Sequence, residues 1–254
     1  MKKAGDVVAI VPAGGAGRRM SARLPKQYVR LGGVPLLVRT LRALAAAPVV
    51  GGIVVAAPRE RVVATRRLLA AHRVGKIRAV VEGGAERQES VWLGLQAAGS
   101  PEWVLVHDAV RPFITPALVV RVLAAAAGTG AATCGLAVRE TVKRVREAVP
   151  PGGEPAPPGG EPVVHETLDR AGLWLIQTPQ AFRRELLWEA HDKARRDGYA
   201  GTDDAVLVER LGGRVAVVPG LPENLKITTP GDLRVARLWT ARPVRRPRPA
   251  RPRR

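Results

Sequence analysis

Short apolar runs alternate along the chain with longer segments in which apolar residues recur every three or four positions. The runs are rich in Val, Ile and Leu and lack alternation with polar residues, as strands buried on both faces do; they cover residues 7–11, 52–56, 77–81, 103–106 and 132–138. The segments between them have the spacing and length of amphipathic helices; they cover residues 34–47, 59–72, 86–98 and 116–127. This order predicts an α/β fold, with a Rossmann-like, mostly parallel sheet covered by helices on both faces.

The pattern breaks after residue 139. Extended, charged residues lead there into a segment rich in Pro and Gly, and a second extended, charged stretch follows that segment. Extended residues on each side of a Pro/Gly-rich segment predict an arm over about 139–170, with a flexible tip at 150–162. Such an arm is a natural contact for a second subunit.

The last part of the chain predicts two helices, a strand, a second short strand and a final helix. The first helix covers residues 182–196, and the next begins at a Thr202 or Asp203 cap and ends at Gly212. A strand follows at 214–218. The remaining residues predict a short strand containing Lys226 and a helix from about Pro230, although a lysine between two apolar residues is unusual in a strand.

Composition limits the class of protein. The chain has 254 residues, of which 46% are hydrophobic, so it can form one sizeable core, predicted over residues 1–241. Its single cysteine, Cys134, excludes a disulfide framework. The first apolar run is short and leads into glycines, unlike a signal peptide, and no run approaches the length of a bilayer span. We therefore expect a cytoplasmic protein with no membrane partner.

The formal net charge is +19, and much of it lies in the Arg/Pro segment at 242–254. A segment of this composition cannot bury a core and is predicted to be a disordered tail. It could contact RNA by counterion release, but a solvated tail is the favoured interpretation. Aromatic residues make up only 4% of the chain, which argues against base stacking as a main function.

The first strand leads into a glycine-rich, basic loop. Its residues are, in order, Gly14, Gly15, Gly17, Arg18, Arg19 and, after a proline, Lys26. Glycines let backbone N–H groups approach an anion closely, and Arg and Lys add full positive charge. The loop therefore predicts an oligophosphate site, although neither the Walker motif nor the dinucleotide fingerprint fits it. The alternative is a tight turn with solvated arginines.

Two further loops should reach the same edge of the sheet, because parallel strands end there together. One places Ser90 early in a helix after a Gly-Gly turn, and by itself it is an ordinary connection. The other places His107, Asp108 and Arg111 after a buried strand. Asp108 could hold Mg²⁺ with phosphate oxygens as further ligands. An Asp108–Arg111 ion pair that braces the turn explains the residues equally well.

The motifs PAGGAGRRM, PKQY, GGAERQESV, HDAVRPF, ETVKR, DRAGLWLIQTPQAF, GTDDA and ENLKITTPGDL occur in this order. Together they closely resemble the 2-C-methyl-D-erythritol 4-phosphate cytidylyltransferase family over roughly residues 7–238. The resemblance implies transfer of CMP from CTP to the 4-phosphate of methylerythritol phosphate, with release of pyrophosphate and use of Mg²⁺ or another divalent cation. It also implies a homodimer in which Arg170 acts in the neighbouring subunit's site.

The resemblance assigns roles to individual residues. It implies that the catalytic cations are Arg19 and Lys26 at the triphosphate and Arg170 and Lys226 at the methylerythritol phosphate. It implies that the metal ligand is Asp108. The implied nucleotide site consists of Pro12, Ala13, Gly14, Gly15, Ala16, Gly17, Gly84, Ala85, Ser90 and Ala109. The implied substrate site consists of Arg111, Thr141, Arg170, Thr178 and Lys226.

The chain departs from the family pattern at Ala85 and Glu140, where Asp is common, and in a longer arm tip. Ala85 removes one polar contact expected near the cytidine. Three alternatives stay open: a cytidylyltransferase for an alditol phosphate such as ribitol 5-phosphate, a nucleotidyltransferase for another base, and a basic nucleic-acid-binding protein.

Overall fold

A computed structural model of the chain describes residues 7–15, 25–147 and 162–241. Several predictions fall on the other residues and lie outside the described part: Ala16, Gly17, Arg19, the tail at 242–254 and all of the arm tip predicted at 150–162 except Pro162.

The described part contains a seven-stranded sheet and two small two-stranded sheets. The strands are β1 (Val7–Pro12), β2 (Arg30–Leu31), β3 (Val34–Pro35), β4 (Val50–Ala57), β5 (Ile77–Glu82), β6 (Trp103–Val106), β7 (Ala131–Ala137), β8 (Val142–Glu147), β9 (Pro162–Leu168), β10 (Trp174–Arg183) and β11 (Val215–Pro219). The large sheet has the order β11-β7-β10-β6-β1-β4-β5. All its neighbours are parallel except β10, which is antiparallel to β6 and β7. The predicted mostly parallel α/β fold is confirmed.

Helices cover both faces of this sheet. They are α1 (Leu36–Ala45), α2 (Val62–Ala71), α3 (Arg87–Ala97), α4 (Pro116–Thr129), α5 (Arg184–Arg196), α6 (Ala205–Arg210) and α7 (Pro230–Ala241). One core joins the sheet to α1, α2 and α4, and the other joins it to α3, α5 and α6. Within β1, Val7, Ala9 and Val11 face the first core, whereas Val8 and Ile10 face the second. Successive strand residues point to opposite faces, so a strand covered on both sides must be apolar throughout.

Local signals explain where α4 begins and ends. Thr115 caps its first turn, because its hydroxyl accepts a hydrogen bond of 3.2 Å from the Leu118 N–H. Pro116 occupies the first helical turn, where no backbone donor is needed. Gly130 ends the helix with φ of 83°, a conformation in which a side chain would be strained.

The long strand β10 was absent from the sequence prediction. Pro179 lies inside it, and the register of β10 with β7 is irregular between Gln177 and Ala181. Proline cannot donate to the sheet, which makes it a marker against a central strand. The helix predicted from residue 182 accordingly begins at Arg184, because Phe182 belongs to β10.

Two further predictions were wrong in detail. Lys226 lies in an irregular segment between β11 and α7, and not in a strand. That segment does not join a sheet; its Ile227 N–H donates to the Val110 carbonyl of a loop over 3.0 Å. The helix predicted from residue 34 begins at Leu36, because residues 34–35 form strand β3, which pairs with β2 in a hairpin.

Within the part of the chain that the structure describes, strands β8 and β9 pair only with each other, in an antiparallel two-stranded sheet at the position of the predicted arm. The division into one domain, an arm and a tail stays a prediction. None of the helices in residues 7–15, 25–147 and 162–241 combines the length and apolar character required to cross a bilayer.

Candidate active site

The loops after β1 and β6 line one cavity at the carboxyl edge of the sheet. The two strands are adjacent and parallel, so the residues that follow them emerge side by side. A backbone hydrogen bond of 3.0 Å from His107 N to the Ile10 carbonyl continues this pairing. The cavity brings together most of the described residues predicted for the nucleotide, the triphosphate and the metal: Pro12, Ala13, Gly14, Gly15, Lys26, Ala85, Ser90, Asp108 and Ala109. Lys226, which was predicted for the methylerythritol phosphate, lines it as well.

The Gly-Gly turn forms the neighbouring wall. The buried Ser90 hydroxyl accepts a hydrogen bond of 3.1 Å from Gly84 N and lies 3.1 Å from the Glu86 carbonyl. A Cβ atom on Gly14 would lie 3.0 Å from that hydroxyl, so a side chain there would crowd the point where the two loops meet. Gly84 supports the wall without lining the cavity, and Ala85 N donates to the Glu89 carboxylate over 2.8 Å.

Asp108 lies at the centre of three cations. Its Oδ1 is 3.3 Å from Arg87 Nε, and its Oδ2 is 3.2 Å from Arg111 Nε and 3.0 Å from Lys226 Nζ. Burial would raise the pKa of Asp108, but the three cations outweigh burial and hold the pKa well below its usual range. Asp108 is therefore a carboxylate at all physiological pH values. The Asp108–Arg111 ion pair, one of the two interpretations of the sequence, is present.

The donor set suits one carboxylate-bound divalent cation. Mg²⁺ in phosphate-transfer sites is usually held by one or two carboxylates plus phosphate oxygens and water. Asp108 supplies an ionised carboxylate at the cavity wall, and Glu86 lines the same cavity. Among the residues that the structure describes, no group of three or more His, Cys, Asp or Glu side chains forms a complete protein cage for a metal.

Arg87 joins Asp108 to a second buried carboxylate. Its Nη1 lies 2.7 Å from Asp204 Oδ2, and Asp204 Oδ1 lies 3.1 Å from Nε2 of the buried His191. Burial would raise the pKa of Asp204, but Arg87 and His191 lower it overall. No role for Arg87 was predicted from the sequence. Its position in the first turn after the Gly-Gly loop was the available signal, but its partner Asp204 lies 117 residues away.

His107 and Thr178 support Asp108 from behind. The Thr178 hydroxyl accepts a hydrogen bond of 3.0 Å from Asp108 N and lies 3.1 Å from His107 Nδ1. His107 Nε2 lies 3.1 Å from the Arg111 carbonyl. Burial lowers the pKa of His107 to about 4, so the imidazole is neutral at pH 7. His107 thus braces the loop and does not carry charge into the cavity.

A second cavity adjoins the first and shares Arg87, Asp108 and Lys226 with it. Its wall also includes Arg111 and Thr178, two predicted substrate residues. The remaining lining residues come from β10 and the loop before α6: Ile176, Gln177, Gln180, Thr202 and Asp203. Two cavities with a shared cationic wall can hold two phosphorylated molecules next to each other.

The structure does not bring the last two predicted substrate residues to this wall. Thr141 and Arg170 are exposed at the base of the arm, and neither lines the two cavities formed by the described residues. The Arg170 guanidinium donates instead to the Arg139 carbonyl across the arm. In this chain by itself, the two residues are separate from the cationic wall.

Comparisons with known proteins agree with this geometry. The family model of 2-C-methyl-D-erythritol 4-phosphate cytidylyltransferase matches residues 7–242. A protein of that name from Syntrophus aciditrophicus is 46% identical over 91% of this chain and 94% of its own length. A second, from Geobacillus thermodenitrificans, is 44% identical over 89% of this chain and 92% of its own length.

Solved structures agree as well. The crystal structure of 2-C-methyl-D-erythritol 4-phosphate cytidylyltransferase from Thermus thermophilus is 36% identical, with a TM-score of 0.70, and the match covers 91% of this chain and 97% of that one. The 4-diphosphocytidyl-2C-methyl-D-erythritol synthase from Anaerococcus prevotii is 28% identical, with a TM-score of 0.77 and coverage of 94% and 97%. This chain belongs to the 2-C-methyl-D-erythritol 4-phosphate cytidylyltransferase family.

Proposed function

We propose that the protein transfers CMP from CTP to the 4-phosphate of 2-C-methyl-D-erythritol 4-phosphate. The observation that carries the proposal is the wall of Asp108, Lys226 and Arg87, shared by the glycine-loop cavity and its neighbour. CTP occupies the first cavity and the sugar-alcohol phosphate the second. The relatives reported above bear the name of this activity, which favours it over ribitol 5-phosphate or another base.

The reaction is a displacement at phosphorus. An oxygen of the methylerythritol phosphate attacks the α-phosphorus of CTP, and the bond from that phosphorus to the bridging oxygen of the β-phosphate breaks. Pyrophosphate leaves with the bonding electrons. The nucleophile is already an anion, so no proton has to be removed from it. The protein's part is to position two mutually repelling anions and to stabilise the charge that moves to pyrophosphate.

Cations from distant parts of the chain perform this task. Lys26 and the backbone of Gly14 and Gly15 hold the triphosphate, and Lys226 orients the attacking phosphate. Arg19 is proposed as a further triphosphate ligand on the family resemblance, although it lies outside the described residues. Each charge-assisted contact contributes about 1.5–3 kcal/mol.

We propose that Asp108 holds Mg²⁺ together with triphosphate oxygens. Its ionised carboxylate and its position at the junction of both cavities suit this role. The ion would neutralise negative charge on the triphosphate. Lys226 also contacts Asp108 and, because its side chain is 40% exposed, it would turn toward the phosphates as these enter.

We also propose a homodimer formed through the arm. Val145, Val163 and Val164 of the arm are exposed, as are residues 174–176 at the start of β10. An isolated two-stranded sheet is marginally stable, and contiguous exposed apolar residues mark interaction surfaces. A second copy would cover these residues and bring Arg170 to its partner's substrate cavity. The cytoplasmic location and a solvated tail stay predictions from the sequence.

The decisive experiment incubates the purified protein with CTP, Mg²⁺ and methylerythritol phosphate and detects the cytidine diphosphate alcohol and pyrophosphate. Parallel reactions replace methylerythritol phosphate by ribitol 5-phosphate, or CTP by ATP, GTP or UTP. We expect turnover only with the first pair. Faster turnover with ribitol 5-phosphate or another nucleotide would contradict the proposal. A variant lacking residues 242–254 should retain full activity.

A further inference from the structure

Gln27 is a buried glutamine that contacts the glycine loop. It lies in a 3-10 turn, Lys26–Tyr28, and only 1% of its surface is exposed. Its side-chain amide Nε2 donates to the Ala13 carbonyl, and a second donation of 3.3 Å reaches the Gly15 carbonyl. Burying an amide is costly unless it is hydrogen-bonded, so these two contacts offset the cost of burying the Gln27 side chain and fix its orientation.

The contacts orient the loop backbone. In one planar trans peptide, the C=O and the N–H point in opposite directions. Because the Ala13 carbonyl points to Gln27, the Gly14 N–H of the same peptide points away from Gln27. Gly14 lacks a Cβ and lines the cavity, so its peptide could otherwise rotate and turn a carbonyl oxygen toward the ligand. A carbonyl oxygen repels phosphate, whereas an N–H group binds it.

The same turn carries Lys26 into the cavity and Tyr28 into the core. The Tyr28 hydroxyl lies 2.7 Å from Thr65 Oγ1 of α2, and the ring packs against the core on that face of the sheet. Gln27 therefore connects two phosphate-binding elements, the glycine loop and the lysine, through a turn that is anchored independently of the ligand.

We propose that Gln27 is a positioning residue for the nucleotide. Its amide holds the glycine loop with its N–H groups available and keeps Lys26 at a constant distance from them. This inference rests on the proposed function, since it assumes that the triphosphate of a nucleotide occupies the glycine-loop cavity.

Two substitutions test the role of Gln27. Gln27→Met keeps the side-chain volume and removes the amide that makes both hydrogen bonds. Gln27→Glu keeps the side-chain shape but places a carboxylate next to the two carbonyl oxygens, which repel it. For each variant, calorimetry with Mg²⁺–CTP gives Kd, steady-state kinetics gives KM for methylerythritol phosphate, and thermal unfolding gives Tm. We expect Gln27→Met to bind CTP about tenfold more weakly, with KM for methylerythritol phosphate within about twofold of the parent. Gln27→Glu should bind CTP more weakly still.

Tyr28→Phe is the matched control, because it removes a hydrogen bond from the same turn without contacting the glycine loop. It should lower Tm and leave the Kd of CTP within about twofold. CTP affinity in Gln27→Met equal to that of the parent would overturn the inference. Equal weakening of both substrates together with a lower Tm would also overturn it, since Gln27 would then be a general packing residue. A parent protein that does not bind CTP would contradict the proposed function instead.

Discussion

Lys226 Nζ lies 3.0 Å from Asp108 Oδ2, although the two residues belong to loops more than a hundred positions apart. The lysine is 40% exposed at its side chain and the carboxylate only 8%. The pair therefore has one buried member that stays fixed and one exposed member that can turn toward an incoming phosphate. Since both line the two adjoining cavities, this contact marks the point where the two substrates should meet.

Replacing Lys226 should impair the use of methylerythritol phosphate. Lys226→Met retains the aliphatic stem and removes the charge, so the loss of one charge-assisted contact should lower kcat/KM for this substrate about ten- to hundredfold. Binding of CTP, measured by calorimetry, should change much less. If CTP binding fell as much as substrate use, the assignment of Lys226 to the second cavity would be wrong.

Replacing Lys26 should impair chemistry at the triphosphate. Lys26→Ala should lower kcat about ten- to hundredfold, because charge that develops on pyrophosphate loses a positive partner. Circular dichroism and Tm should show that the fold persists. Lys193→Ala, which removes a surface lysine paired with Asp197, is the control and should keep normal turnover. Normal turnover in Lys26→Ala would refute the role of this lysine.

Removing the Arg87 charge should destabilise the protein strongly. Arg87→Gln leaves Asp108 without one partner and Asp204 with only His191, and breaking a buried ion pair costs about 3–5 kcal/mol. Urea unfolding measures the change in the free energy of unfolding. The control is Arg183→Gln, which breaks an exposed pair with Glu102 and should cost about 1 kcal/mol at most.

Equal effects of Arg87→Gln and Arg183→Gln would show that the ion pairs of Arg87 with Asp108 and Asp204 contribute no more to the free energy of unfolding than a surface pair does.

Acid should destabilise the fold in two steps. Burial lowers the pKa of His107 to about 4 in the folded state, against about 6.5 when unfolded. The unfolded chain therefore binds this proton first, and His107 stabilises the fold above pH about 6.5 but less as the pH falls toward 4. Asp108 and Asp204, whose folded pKa values are lowered, remain ionised while the unfolded carboxyls protonate below about pH 4, so their contribution is lost at lower pH.

Urea unfolding between pH 8 and 3 measures these two steps. His107→Asn should flatten the dependence of the free energy of unfolding on pH between about 6.5 and 4. An unchanged slope in that window would mean that His107 does not titrate differently in the folded and unfolded states.

Mixed dimers test whether Arg170 acts across the subunit interface. Arg170→Ala should weaken the use of methylerythritol phosphate, and Lys26→Ala should impair the triphosphate site. In a dimer of one subunit of each variant, one site would combine an intact Lys26 with the partner's intact Arg170. We therefore expect activity to recover on mixing the two variants under conditions of subunit exchange.

If Arg170 served its own subunit, both sites of the mixed dimer would carry a defect. Activity no higher than that of the separate variants would then be observed, and the cross-subunit role would be refuted. Native mass spectrometry of the mixture shows whether mixed dimers have formed, so that a failure of subunit exchange is not mistaken for a lack of recovery.

Local sequence signals predicted the parallel part of the fold well. Strands β1, β4, β5, β6, β7 and β11 correspond to predicted apolar runs. Burial on both faces explains that pattern in β1, β4 and β6, whereas the edge strands β5 and β11 are only partly buried. The strand β10 was missed because Pro179 interrupts the pattern, and the strand expected around Lys226 was wrong because apolar neighbours alone do not provide a pairing partner. Ile227 pairs with Val110 in a loop, a contact that periodicity cannot indicate.

Local sequence was sufficient to predict the class of fold, the glycine-loop phosphate site and the family, because these depend on short segments whose residues are close in the chain. Three-dimensional packing was required to show that Arg87 joins Asp108 to Asp204 and that Gln27 donates to the glycine loop. It also decided that His107 is buried and neutral behind the site. Each of these contacts joins separate segments, and which segments meet is determined by how the helices and strands pack around the two cores.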